Sequence, residues 1–131
     1  MTRHPSVIYA DIMLYKARSP DANLNSDLEQ IASSEEPFWH NFGTFLIAQE
    51  NFRVAEHYAM QEDYLRASSI FETDVELKLN TAFDYFSKNM SVTDETSLFY
   101  QNKLTPEQIM NACNLYSNMY VEWNLKTSES F

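Results

Sequence analysis

A chain of 131 residues, 44% hydrophobic and 15% aromatic, is long enough to bury a core as one domain and too apolar to be broadly disordered. Its single glycine, Gly43, argues against a phosphate-cradling loop, a dinucleotide fingerprint or a many-stranded β fold, all of which lean on residues with positive φ. A formal charge of −10 opposes direct binding to nucleic acid or to an anionic membrane.

The first predicted helix is SVIYADIMLYKA, apolar on most sides, with Pro5 before it or at its start. RSPDANLNSD reads as a loop. A short helix is expected from Ser26, with Leu28 and Ile31 inward, closed by SSEEP. Pro37 then opens the longest periodic segment, in which Phe38, Phe42, Phe45, Gln49, Phe52 and Ala59 recur at helical spacing. Gly43 inside it marks either a bend or a close approach by another helix. After a polar break at Gln61–Asp63, DYLRASSIF is the return helix of a hairpin. Thr73–Glu76 (TDVE) has the pattern of a capping box for a further helix that buries Leu79, Ala82, Phe83 and Phe86. NMSVTDETS reads as a loop or short turn, and residues 98–104 fit either strand or helix. The last helix has the clearest start, Thr105-Pro106-Glu107-Gln108, which supplies a cap, a first-turn proline and a capping-box partner. Asn111, Asn114, Asn118 and Glu122 form its narrow polar stripe. Ile109, Cys113, Tyr116, Tyr120 and Trp123 form an apolar seam, widened by Met110, Ala112, Leu115, Met119, Val121 and Leu125. The expected fold is all-α: a compact bundle of about five or six helices in a single domain over 1–131, with 1–5 and 126–131 frayed.

The stretch AEHYAMQEDYLRASSIF alternates small residues with rings: Ala55, Tyr58, Tyr64, Ala67 and Phe71. Such alternation lets two antiparallel helices approach while rings fill the flanking holes. Over residues 47–78 this order resembles a single tetratricopeptide-like helical hairpin. Glu62 stands where that family usually has glycine, and Asp74 where it has alanine. The resemblance implies protein or peptide binding.

Charge is unevenly spread. Residues 1–18 carry Arg3, Lys16 and Arg18 against Asp11, a net of +2, which leaves −12 for the remaining 113. Residues 19–36 hold Asp21, Asp27, Glu29, Glu35 and Glu36 with no lysine or arginine. Glu35 and Glu36, with Glu62 and Asp63 at the hairpin turn, are the candidate contacts for a basic protein partner. Tyr116, Met119, Tyr120 and Trp123 are the candidate apolar contacts, with core and self-association interface both open.

Chemistry-bearing patterns are sparse. His4, His40 and His57 do not share metal-ligand spacing, Cys113 has no base tied to it, and adjacent carboxylates such as Glu35–Glu36 diverge into solvent. No catalytic residue, metal or cofactor is expected. Lone Cys113 allows no intramolecular disulfide and suits a reducing compartment. The apolar stretch VIYADIMLY contains Asp11 and lacks a cleavage site, and no run approaches the ~20 apolar residues of a membrane span, so a soluble, cytoplasmic protein is expected. The leading expectation is a non-enzymatic, self-associating interaction protein: an adaptor, chaperone or inhibitor. The alternative is an acidic inhibitor or nucleic-acid mimic, in the manner of phage antagonists and immunity proteins, that blocks a basic site. A small enzyme or cofactor binder using His40 or His57 is the third.

Overall fold

A computed structural model describes residues 4–18, 24–90 and 105–129, and all regular structure among them is helical. Helix α1 spans Pro5–Arg18. His4 starts it twice over: its carbonyl accepts from the Val7 and Ile8 amides, and its Nδ1 accepts from the Ser6 N–H at 3.1 Å. Ile8, Tyr9 and Ile12 face inward and are almost fully buried.

Helix α2, Asn25–Ala32, turns Leu28 and Ile31 into the core. Its end is closed by side chains. The Ser33 hydroxyl donates to the Glu29 carbonyl at 2.7 Å, and His40 Nδ1 donates to the Ala32 carbonyl at 2.6 Å. His40 is thus an exposed residue that ties α3 to the end of α2.

Helix α3 runs from Pro37 to Met60, with the proline in its first turn. Phe38, Phe42, Phe45, Phe52 and Ala59 of the predicted stripe are buried, and Gln49 is half-buried. Gly43 marks a close approach: a β-carbon there would lie 2.5 Å from the Ala32 amide nitrogen and 2.7 Å from its Cα. The end of α2 therefore rests directly on the α3 backbone.

The hairpin turns at Gln61–Asp63. The Gln61 and Asp63 amides donate to the Tyr58 carbonyl, and the Glu62 amide donates to that of Ala59. Glu62 takes φ 64°, the left-handed conformation that a helix end uses to reverse direction and that favours glycine. Asp63 then caps α4, Tyr64–Ile70, by accepting from the Arg66 amide at 3.3 Å. Ala55 and Ala67 are fully buried where the two helices meet.

The expected capping box at Thr73–Glu76 does not form. The chain stays helical from α4 through a single wide π-helical turn, Phe71–Val75, into α5, Glu76–Lys88. Thr73 turns its hydroxyl back to the Ser69 and Ile70 carbonyls instead of capping forward. The physical reason is packing. Phe71, Val75 and Leu79 are spaced by four, which overshoots the α-helical repeat of about 3.6 residues, and one wide turn takes up that drift. All three are about 1% exposed. Asn51 of α3 clasps the wide turn by donating to the Asp74 carbonyl at 3.2 Å. Beyond it Ala82 and Phe86 are buried, while Phe83 is half-buried.

Helix α6, Pro106–Glu129, begins with the expected capping box. The Thr105 amide donates to Gln108 Oε1 at 2.9 Å, and the Gln108 amide donates to Thr105 Oγ1 at 3.2 Å. It remains helical to Glu129, so Lys126–Glu129, expected to be frayed, extend it. The Lys126 ammonium lies 5.2 Å from the Tyr64 ring centroid and ties this last turn to α4.

Contacts fix the packing order. Phe38 meets Phe86 and Phe52 meets Phe71, so α3 runs antiparallel to the α4–α5 rod. Tyr120 meets Phe71 and the Cys113 thiol points to the Leu79 carbonyl, so α6 also runs antiparallel to the rod. Helices α1 and α2 cover the start of α3, where Tyr9 packs on Trp39 and Phe42. One core threads this bundle. The ambiguous residues 98–104 and the expected loop before them lie outside the described residues, apart from Asn89 and Met90 after α5.

Candidate functional site

Rings of α3 and of the wide turn pack against the aromatic seam of α6. Trp123 is 5% exposed and lies 5.3 Å from Phe52, nearly parallel to it. Tyr116 stacks on the same ring at 4.2 Å and 22°, and accepts from Gln49 Nε2 at 3.1 Å. Tyr120 stacks on Phe71 at 4.3 Å and 10°, and its hydroxyl donates to the Glu72 carboxylate. That bond to Glu72 raises the Tyr120 pKa, since losing the proton would set two negative charges together. Met119 is half-buried beside this cluster. The apolar side chains of α6 that do reach the surface are Leu115, Val121 and Leu125, interleaved with Asn114, Asn118 and Glu122.

The four candidate acids divide into two pairs far apart in the fold. Glu62 and Asp63 are exposed at the hairpin turn, where both have local work: Glu62 supplies the left-handed residue, and Asp63 caps α4 and approaches Arg66 at 3.9 Å. Glu35 and Glu36 lie at the other end of the hairpin, on the link between α2 and α3. The Glu36 amide donates to Ser34 Oγ, and its carboxylate accepts from His4 Nε2 at 2.9 Å. Because His4 Nδ1 accepts from the Ser6 amide, Nε2 is the nitrogen that carries the proton.

Glu35 and Glu36 border an open cleft of about 770 Å³ between α1 and α2. Its wall continues through Glu29, Gln30, Ser33 and Ser34, and its floor includes Pro5 and Ile8 of α1. With Ser26 included, the arrangement is two apolar residues of α1 beside three carboxylates, three hydroxyls and an amide. Such a surface can seat a segment that combines an apolar side chain with a cationic one. The sequence marked Glu29, Glu35 and Glu36 as part of a lysine-free run. It carried no sign that Pro5 and Ile8 would lie beneath them, because pairing of α1 with α2 is a tertiary event.

The remaining chemistry-bearing groups have structural partners. His57 Nε2 lies 3.1 Å from Nε2 of Gln61, the residue that follows α3. Cys113 is buried, and burial pushes its thiol up to about 11, so it stays protonated. Among the described residues no three His, Cys, Asp or Glu side chains converge as metal ligands, and no helix is long and apolar enough to cross a membrane. No protein-family model, curated protein or solved structure matches the chain.

Proposed function

We propose that this protein is a non-enzymatic interaction module that self-associates and binds a basic protein partner through the acid-rimmed cleft between α1 and α2. The cleft is the observation that supports this reading. It joins Glu29, Glu35 and Glu36 to an apolar floor in one concave surface. Exposed charge pairs stabilise a complex by only about 0–1 kcal/mol each, so the carboxylates act chiefly by steering encounter, and the floor supplies apolar contact. The likeness of residues 47–78 to a tetratricopeptide hairpin points the same way, through fold-level analogy.

A partner captured from the native host tests the proposal. Its association rate with the wild type should fall as the Debye length shrinks from ~10 Å at 0.1 M salt to ~3 Å at 1 M. In Glu35→Gln/Glu36→Gln the low-salt rate should drop and its salt dependence flatten. A salt-insensitive rate that is unchanged in this variant overturns it. The second reading, an acidic inhibitor that occupies a nucleic-acid-binding surface, is favoured by the −12 charge outside residues 1–18. It predicts that nucleic acid competes with the chain for the captured partner.

A further inference from the structure

Helix α4 is held to the bundle by little apolar surface. Of its seven residues only Ala67 and Ser68 are buried, and Leu65 is 67% exposed. The next helix, α5, buries Leu79, Ala82 and Phe86, and α3 buries Phe42, Phe45 and Phe52, so each gains far more than α4 from leaving water. One of the two buried side chains of α4 also opposes the packed state. The Ser68 hydroxyl is shut off from water and has no hydrogen-bond partner among the described residues. It would regain one from water if the helix lifted. Both ends of α4 suit a hinge. Before it, Glu62 is held at φ 64°, where a residue other than glycine is disfavoured. After it comes the wide turn Phe71–Val75. The Glu76 amide donates to the Phe71 carbonyl, five residues back, so the first backbone bond of α5 is taken from the wide turn and not from α4.

We infer that α4 is a strap that lifts off the bundle as a unit, hinged at Glu62 and at the wide turn, while α3, α5 and α6 stay folded. Phe71 and Val75, each about 1% exposed, anchor the wide turn and keep the opening from spreading into α5. The strap lies over Ala55 of α3 and over the stretch of α6 between Tyr120 and Lys126. Tyr120 packs on Phe71 just beyond one end of α4, and Lys126 packs on the Tyr64 ring at the other. Lifting α4 thus wets the Ser68 hydroxyl and uncovers the part of α6 that holds Trp123. The polar contacts that hold the strap shut lie at the surface and re-form on closing: Arg66 over the Tyr58 ring at 5.1 Å, Lys126 over the Tyr64 ring at 5.2 Å, and the Asp63 cap.

Native-state hydrogen exchange of the full chain, followed by NMR as urea is raised below the unfolding transition, tests it. The α4 amides should exchange at least about tenfold faster than those of Leu79 and Ala82 in α5, and their rates should hardly respond to urea, because a local opening exposes little surface. Ser68→Ala removes the buried hydroxyl and should slow α4 exchange about tenfold. Ser69→Ala is the control. Its side chain is exposed, so it adds only the helix preference of alanine and should slow α4 exchange about twofold. Wild-type α4 amides that exchange at the rate and with the urea dependence of the α5 amides overturn the strap, since α4 then opens only with the whole domain. Equal slowing by Ser68→Ala and Ser69→Ala overturns the part assigned to the buried hydroxyl.

Discussion

Phe52 of α3 and Tyr116 of α6 stack at 4.2 Å with their planes 22° apart, and Trp123 lies against the same Phe52 ring. Three aromatic side chains thus bridge the two helices across the rod formed by α4 and α5. Phe52→Ala removes the ring common to both contacts and should cost about 3–5 kcal/mol, the usual range for a large aromatic in a core. Trp123→Glu should unfold the domain, since it places a carboxylate where the native side chain is 5% exposed. Chemical denaturation followed by circular dichroism checks both. A Trp123→Glu protein of near-native stability would show that this ring is peripheral to the fold.

Gly43 and Glu62 should respond to substitution in opposite ways, and each against intuition. Alanine is favoured over glycine inside a helix by about 1 kcal/mol, so propensity alone makes Gly43→Ala stabilising. The 2.5 Å approach to the Ala32 backbone reverses the sign. Backbone must move, at a typical cost of 1–3 kcal/mol, and the melting temperature should fall. Glu62→Gly relieves a residue held at φ 64° and should raise stability by about 1 kcal/mol. Melting curves that shift in the same direction for both variants would contradict this account.

Two threonines that look alike in sequence should behave differently. Thr105 accepts from the Gln108 amide and forms a reciprocal box, so Thr105→Ala should cost about 1 kcal/mol. Thr73 lies inside a continuous helical rod and only bonds back to preceding carbonyls. Its alanine variant should fall within about 0.5 kcal/mol of the wild type. Urea denaturation resolves the two. A cost for Thr73→Ala as large as for Thr105→Ala would mean that a helix does start there.

The difference between these threonines also shows what could be read from the chain and what could not. Thr-x-x-Glu at 73–76 and Thr-Pro-Glu-Gln at 105–108 carry the same local signal. A cap is used only where the chain breaks, and at Thr73 the break is overruled by the four-residue spacing of Phe71, Val75 and Leu79 against the core. The stripe of α3 and the seam of α6 were legible because helical period and burial coincide there. The ambiguity of that seam was physical: an apolar arc records that something covers it, and only the fold shows that Phe52 and Phe71 cover part of it, with Trp123 buried and Tyr116, Met119 and Tyr120 half-buried. Gly43 was likewise legible as special, while its partner Ala32, eleven residues away and in another helix, was not. The cleft was least accessible, since Glu29 and Glu35 announce charge and nothing local announces the Pro5 and Ile8 floor.

Cys113 offers a measurement on the core that needs no substitution. The thiol is buried against the Leu79 carbonyl at 3.8 Å, and burial raises its pKa from 9.0 to about 11. Reactivity belongs to the thiolate, so the native protein at pH 8 should react with a thiol reagent far more slowly than the urea-unfolded chain, which exposes the group at its ordinary pKa. The same shift makes stability depend on alkaline pH. Below pH 9 the thiol is protonated in both states and imposes no penalty. Between 9 and about 11 the unfolded chain loses that proton first, so unfolding is increasingly favoured as pH rises. Tyr9 and Tyr85, also raised by burial, act in the same direction above their ordinary value of 10.0. The wild type should therefore lose stability from pH 9 upward, and Cys113→Ala should show a shallower decline over pH 9–11. Rapid modification of the folded protein at pH 8, or identical pH profiles for the two proteins, would place Cys113 at the surface and remove the α5–α6 contact on which the bundle's packing order partly rests.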